Sequence, residues 1–231
     1  PVSVDFKTRP EQNPRKNFHP PAFPDPLKPY NDLLTVIYEC IDAEEDIESF
    51  EFSDTSLEAF HQSKLEFHHC QFKNCQFLSS GLTHTFFADV IFTGCDLSNL
   101  NLSDSTFHRV IFKNCKLLGT DFNACILEEC HFTECLGNFM NFSTSKTKHV
   151  FFENCPLQNV SFQDCKLKTT QFQQCDLSEA DFLHTPLKGI DFTSNTLSRI
   201  TVSGSQELRG VVVNLFQAAE LSKLLGVVIK E

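Results

Sequence analysis

Residues 70–115 read CQFKN CQFLS SGLTH TFFAD VIFTG CDLSN LNLSD STFHR VIFKN C, and every fifth residue from Phe72 is Phe or Leu. Two residues earlier stands a small or β-branched side chain, as at Cys70, Cys75, Ser80, Thr85, Val90 and Cys95. The other three positions are mostly polar. A helix repeats at 3.6 residues and a strand at 2, so neither accounts for a period of five. Working outward, the rule reaches back to Phe52 and Ile47 and forward to Leu197 and Val202. From Phe52 onward, only Gln62, Gly137 and Thr147 depart from it at the apolar centre.

A second period gives the shape. Phe72, Phe92, Phe112, Phe132, Phe152, Phe172 and Phe192 recur every twenty residues, as do Cys75, Cys95, Cys115, Cys135, Cys155 and Cys175. If four five-residue units make one coil, these residues stack at the strand spacing of about 4.8 Å. The sequence therefore predicts an all-β fold, a right-handed quadrilateral β-helix of about eight coils with a C-terminal capping helix. Asn74, Gly94, Asn114 and Asn154 share one corner, and Asn and Gly tolerate the positive φ of a type II turn.

All 11 cysteines fall on multiples of five, so one packing rule places them. Stacked Cβ atoms at about 4.8 Å exceed the usual disulfide separation of about 3.8 Å, and a straight row cannot surround zinc tetrahedrally. They are read as core filler. No phosphate loop, metalloprotease helix or nucleophile elbow occurs, and a filled convex rod lacks a pocket, so neither an enzyme nor a cofactor is expected. No two histidines are twenty apart. Residues such as Arg109, Glu129 and His149 form ladders of compatible side chains instead.

Four segments follow. Residues 1–30 are a Pro-rich flexible arm. Residues 31–46 form an N-terminal capping segment, in which Leu33, Leu34, Ile37, Tyr38 and Ile41 could make one helical face. Residues 47–206 are the coils, and residues 207–231 a C-terminal helix and dimerisation tail. In the tail Asn214 and Gln217 resemble a capping box, and Gly226 ends the helix. Its surplus apolar surface, comprising Phe216, Ala218, Leu221, Leu224, Leu225, Val227, Val228 and Ile229, suggests a homodimer interface.

The net charge is −11, and no run approaches the roughly 20 apolar residues of a membrane span. A soluble, cytoplasmic protein with no direct DNA binding and no membrane contact is expected. Positive charge gathers at Lys146, Lys148, Lys166, Lys168 and Lys188, on one side. Asp104, Asp121, Asp164, Asp176, Glu179 and Asp181 are the acidic candidates for a basic partner. Ile91, Ile111 and Phe151 break the polar pattern outward, to be covered by the arm through Phe18 or Phe23 or by a partner.

The loop-free repeat, the motif PLKGIDF at 186–192 and the tail QAAELSKLLGVVI at 217–229 resemble the Qnr-type pentapeptide-repeat proteins, which protect bacterial type II topoisomerases from quinolones. The resemblance implies a DNA mimic: a rod-shaped dimer, joined through its C-terminal ends, that binds DNA gyrase and topoisomerase IV. Many Gram-negative members carry two projecting loops that this sequence lacks, so it looks more like the loop-free members from Gram-positive bacteria or mycobacteria. A pentapeptide-repeat scaffold for another partner is the alternative.

Overall fold

The computed structural model describes residues 18–23, 26–224 and 226–230. They build a mostly-β pentapeptide-repeat solenoid of about seven turns, closed by a short C-terminal helix. Each coil has four sides, centred in chain order on the Phe52–Phe192, Leu57–Leu197, Gln62–Val202 and Phe67–Leu187 columns, hereafter the first to fourth sides. The fourth and first sides run together as strands such as Phe86–Thr93, Thr106–Lys113, Ile126–Thr133, Lys146–Glu153 and Lys166–Gln173. These pair in parallel, in a register of twenty: Phe92 with Phe112, Phe112 with Phe132, Phe132 with Phe152.

The interior is stacked phenylalanine. Ring centroids from Phe52 to Phe192 lie 4.7–5.6 Å apart, so the rung spacing dictates the stacking. Neighbouring columns meet edge to face, as at Phe122 and Phe132 with an interplanar angle of 87°. The small position has a chemical rule besides size. Sγ of Cys75, Cys95, Cys115, Cys155 and Cys175 donates to the carbonyl 23 residues earlier, and Ser80, Ser105, Thr120, Ser145 and Thr185 do the same through hydroxyls. A small side chain with an S–H or O–H thus satisfies an inward carbonyl. All eleven thiols are free. Burial pushes Cys70, Cys125 and Cys165 up to about 12, which leaves them inert as nucleophiles.

Two departures from the repeat explain themselves. Gly137 vacates a core centre that Met140 fills: a Cβ on Gly137 would lie 2.4 Å from Met140 Cε. Thr147 is buried and pairs its hydroxyl with that of Thr170 at 2.6 Å.

Positive φ is not confined to the corner of Asn74, Gly94, Asn114 and Asn154. It recurs at nearly every fifth residue, on side chains as unlike as Asp89, Arg109, Phe139 and Thr169. On the second and third sides the turns close with hydrogen bonds such as Leu100 N–H to Leu97 O and Cys125 N–H to Phe122 O, the type II arrangement. The stacking of rungs on both sides holds residues that would not choose this backbone alone.

Both ends carry helices. Helix α1, Leu33–Ala43, is capped by Asp32, which accepts from Thr35 N–H and Oγ. It buries Leu33, Val36 and Ile37, while Leu34, Tyr38 and Ile41 are exposed, so the apolar face read from the sequence is rotated. Val36 joins the core cluster, and Tyr38 turns its ring edge to Phe60. Helix α2, Leu215–Leu224, shows the expected reciprocal box: Gln217 N–H donates to Asn214 Oδ1 at 3.0 Å, and Asn214 N–H to Gln217 Oε1 at 2.9 Å. Gly226, at φ +76°, ends it with paired bonds from Gly226 N–H to Lys223 O and from Val227 N–H to Ser222 O.

Within the coils from Ile47 onward, paired residues stay twenty apart as far as Asp181 with Thr201, but Asp191 bridges Val212 at a separation of twenty-one. Part of the arm is also structured. Lys28–Tyr30 is a strand that pairs with Phe50–Phe52, and residues 18–23 lie against the rod, where Phe18 meets Phe151, one of the two coverings expected for the outward apolar run. Residues 1–17, 24 and 25 lie outside the described residues.

Candidate functional site

The six nominated acids do not form one patch. Asp121 and Asp181 open coils of the third side, in one bridged column through Asn141 and Ser161. Asp104 and Asp164 stand at the corner between the third and fourth sides, each facing a histidine one rung away: His84 at 4.0 Å and His184 at 3.1 Å. Asp176 opens the second side, and Glu179 lies at its far corner, paired with Arg199.

Several of these carboxylates belong to the turns. Asp121 accepts from Asn123 N–H at 3.0 Å, Asp181 from Leu183 N–H at 2.9 Å, and Asp176 from Ser178 N–H at 3.0 Å. This side-chain cap on the residue two further on is the Asx turn. Burial pushes the Asp176 carboxyl up, but bonds from Ser178 and Gln158 outweigh it and hold the group below its usual value. An aspartate immediately before the apolar centre therefore fastens its corner whatever else it does.

The lysines gather as the sequence implied. Ile126, Lys146 and Lys166 stack in one column, and Glu128, Lys148 and Lys168 in another. Lys148 pairs with Glu128, leaving Lys146, Lys166, Lys168 and Lys188 as exposed positions on the fourth side. At the opposite end of that side, Asp46, Glu66 and His68 bring three ligand-type atoms within 4.8 Å of one another, with His68 Nε2 3.3 Å from Glu66.

The C-terminal tail splits in two. Leu215, Phe216 and Val228 are more than four-fifths exposed, and Ala218, Leu224, Val227 and Ile229 are exposed too. Leu221 is different: it is 8% exposed and joins the core cluster beneath Leu197 and Ile200. The capping box turns this residue inward, which removes it from a surface available to a second molecule. Leu225 lies outside the described residues.

The corner between the fourth and first sides was not nominated as a site, and it is the most elaborated surface of the rod. Asp89 and Glu129 are 3% and 8% exposed, two rungs apart, with Arg109 on the rung between. Arg109 binds Asp89 through two nitrogens, Nε at 2.6 Å. Burial pushes the Asp89 carboxyl up, but Arg109 and the N–H of Ala22 hold it below its usual value. The sequence signals for this corner were the ladder of Arg109, Glu129 and His149 and the outward run Ile91, Ile111 and Phe151; Phe18 sets its ring edge on Phe151 at 5.8 Å.

Two sequence profiles match the chain: "Pentapeptide repeat region" over 105–182 and 148–222, and "Pentapeptide repeats (8 copies)" over 70–109. The chain belongs to the pentapeptide-repeat family, a scaffold family that is generally non-catalytic. Among solved structures it is similar to a trypsin-treated variant of QnrB1, described as a plasmid-mediated fluoroquinolone resistance protein. The match has 17% identity and a TM-score of 0.36, and covers 78% of this chain and 100% of that one. It is also similar to HetL of the cyanobacterium Nostoc sp. strain PCC 7120, described as involved in heterocyst differentiation regulation. There the identity is 12% and the TM-score 0.34, covering 78% of this chain and 93% of that one. No curated protein sequence matches the chain. Among the described residues, no helix is long and apolar enough to cross a membrane.

Proposed function

We propose that the chain binds bacterial DNA gyrase and topoisomerase IV as an acidic, DNA-shaped rod and thereby protects them from quinolones, working as a dimer joined at its C-terminal ends. The observation that carries this reading is the tail. Leu215, Phe216 and Val228 expose apolar surface that the last coil does not use, on the segment whose sequence resembles the Qnr-type proteins. Two copies meeting there would double the rod about a two-fold axis.

The third side, with Asp104, Asp121, Asp164 and Asp181, is the face assigned to the basic partner. Asp176 and Glu179 extend it, although Arg199 balances Glu179. Duplex DNA carries one charge per about 1.7 Å of axis, several-fold more than this rod, so shape must supply much of the match. Purified protein should relieve ciprofloxacin inhibition in a gyrase supercoiling assay or change supercoiling itself. No effect at micromolar protein would favour the second reading, a scaffold for another partner. That reading draws on the carboxylates spent as Asx caps, since acids with a structural task need no electrostatic partner.

A further inference from the structure

Along the flank of the solenoid each rung bonds its main chain to the rungs on either side, so no free strand edge is offered there. A peptide lying along the axis must be gripped by side chains, and residues 18–23, Phe-His-Pro-Pro-Ala-Phe, are gripped in this way. Phe18 lies edge-on to His131 and to Phe151, at 5.8 Å from each. His19 Nδ1 is 2.5 Å from Glu129 Oε1. Ala22 N–H donates to Asp89 Oδ1 at 3.0 Å, and Ala22 C=O accepts from His69 Nδ1 at 2.8 Å.

The contacts descend the rod in order, and their spacing fits. From His19 to Ala22 is three residues, or about 9 Å of polyproline II chain at 3.1 Å per residue. From Glu129 to Asp89 is two rungs, about 9.6 Å at the strand spacing. The chemistry fits too. On the rung between them the corner presents the cation Arg109, which has no acceptor to offer. Opposite that gap the peptide has Pro20 and Pro21, which have no N–H to satisfy. The two buried carboxylates meet the imidazole and the next available N–H on either side. Proline also restricts the free peptide, so little ordering entropy is lost on docking.

We propose that this corner is a binding site for extended proline-containing peptides with an aromatic residue, a histidine, two prolines and a residue with a free N–H in succession, and that the chain's own residues 18–23 fill it in cis. A tethered segment competes at an effective concentration in the millimolar range, so a peptide in trans gains access only when the tethered one is disabled.

The test uses the full-length chain and a fluorescein-labelled, end-blocked peptide FHPPAF, with binding read by anisotropy. The double variant Phe18→Ala, His19→Ala should bind the peptide at least tenfold more tightly than the unmodified chain. Adding Glu129→Gln and Asp89→Asn to that variant should abolish the gain. Equal affinity for the unmodified chain and the double variant would overturn the proposal, as would binding indifferent to the two carboxylates. Should Asp89→Asn disturb the rod by circular dichroism, His69→Ala tests the same contact from a partly exposed position. Affinity falls if the corner reads residue 22; an unchanged affinity rejects the site.

Discussion

The two ends of the rod are closed by helices of similar length and opposite character. Helix α1 buries Leu33, Val36 and Ile37 and continues the hydrophobic core. Helix α2 buries only Gln217 and Leu221, and its main attachment is polar: Gln217 Nε2 donates to Phe192 O at 2.8 Å and to Asn195 O at 2.7 Å. The first coil is therefore sealed by apolar contact. The last is sealed by hydrogen-bonding its open carbonyls, which leaves apolar side chains of α2 facing outward. An end that keeps exposed hydrophobic surface after capping its coil has surface left for assembly.

The sharpest way to break the comparison is at the apolar end. Ile37→Ala empties a fully buried site and should cost about 2–5 kcal/mol in chemical denaturation. Gln217→Leu should cost less, about 1–3 kcal/mol, because two inward carbonyls lose their donor and the α2 box is broken. A loss equal to that of Ile37→Ala would erase the distinction between the two caps.

A smaller effect separates the helices by pH. The Thr35 hydroxyl, with the Thr35 N–H, holds the Asp32 carboxyl below its ordinary value in the folded state. Its contribution is thus present above the unfolded carboxylate range, and is lost as pH falls through the lower folded value. Asp32→Ala should weaken the protein modestly at pH 7, and the difference should shrink as the pH is lowered below the ordinary carboxylate range, as read by thermal melts across that range. The least costly change is Phe216→Glu, which should leave the melting temperature unaltered while halving the mass seen by light scattering. A mass unaffected by the substitution would reject the dimer.

The sequence made the interior legible because stacking at a period of twenty repeats one environment many times, so each Phe or Cys is predicted by its neighbours a coil away. It also exposed the α2 box, which is local. Three features were less accessible. The face of α1 was misjudged because Leu34, Tyr38 and Ile41 are as apolar as the residues actually buried, and only contact with the first coil decides between them. Leu221 looked like interface because an apolar helical residue carries no sign of which side faces home. The arm's docking joins residues more than a hundred positions apart, His19 with Glu129, through chemistry that no period encodes. For the acidic face the sequence located the charges, while the Asx caps of Asp121, Asp176 and Asp181 became visible only with the turns.

The one-residue shift that brings Asp191 opposite Val212 has a consequence for length. A stack of identical rungs is a template with no internal reason to stop, and any other chain with the same repeat could add to its end as a fibril grows. The extra residue falls where the chain leaves the coils for α2, the helix whose Gln217 then takes up the carbonyls of Phe192 and Asn195. The rung that a newcomer would have to extend is thus already occupied by the chain's own next segment, and the rod carries its stopper in the same polypeptide.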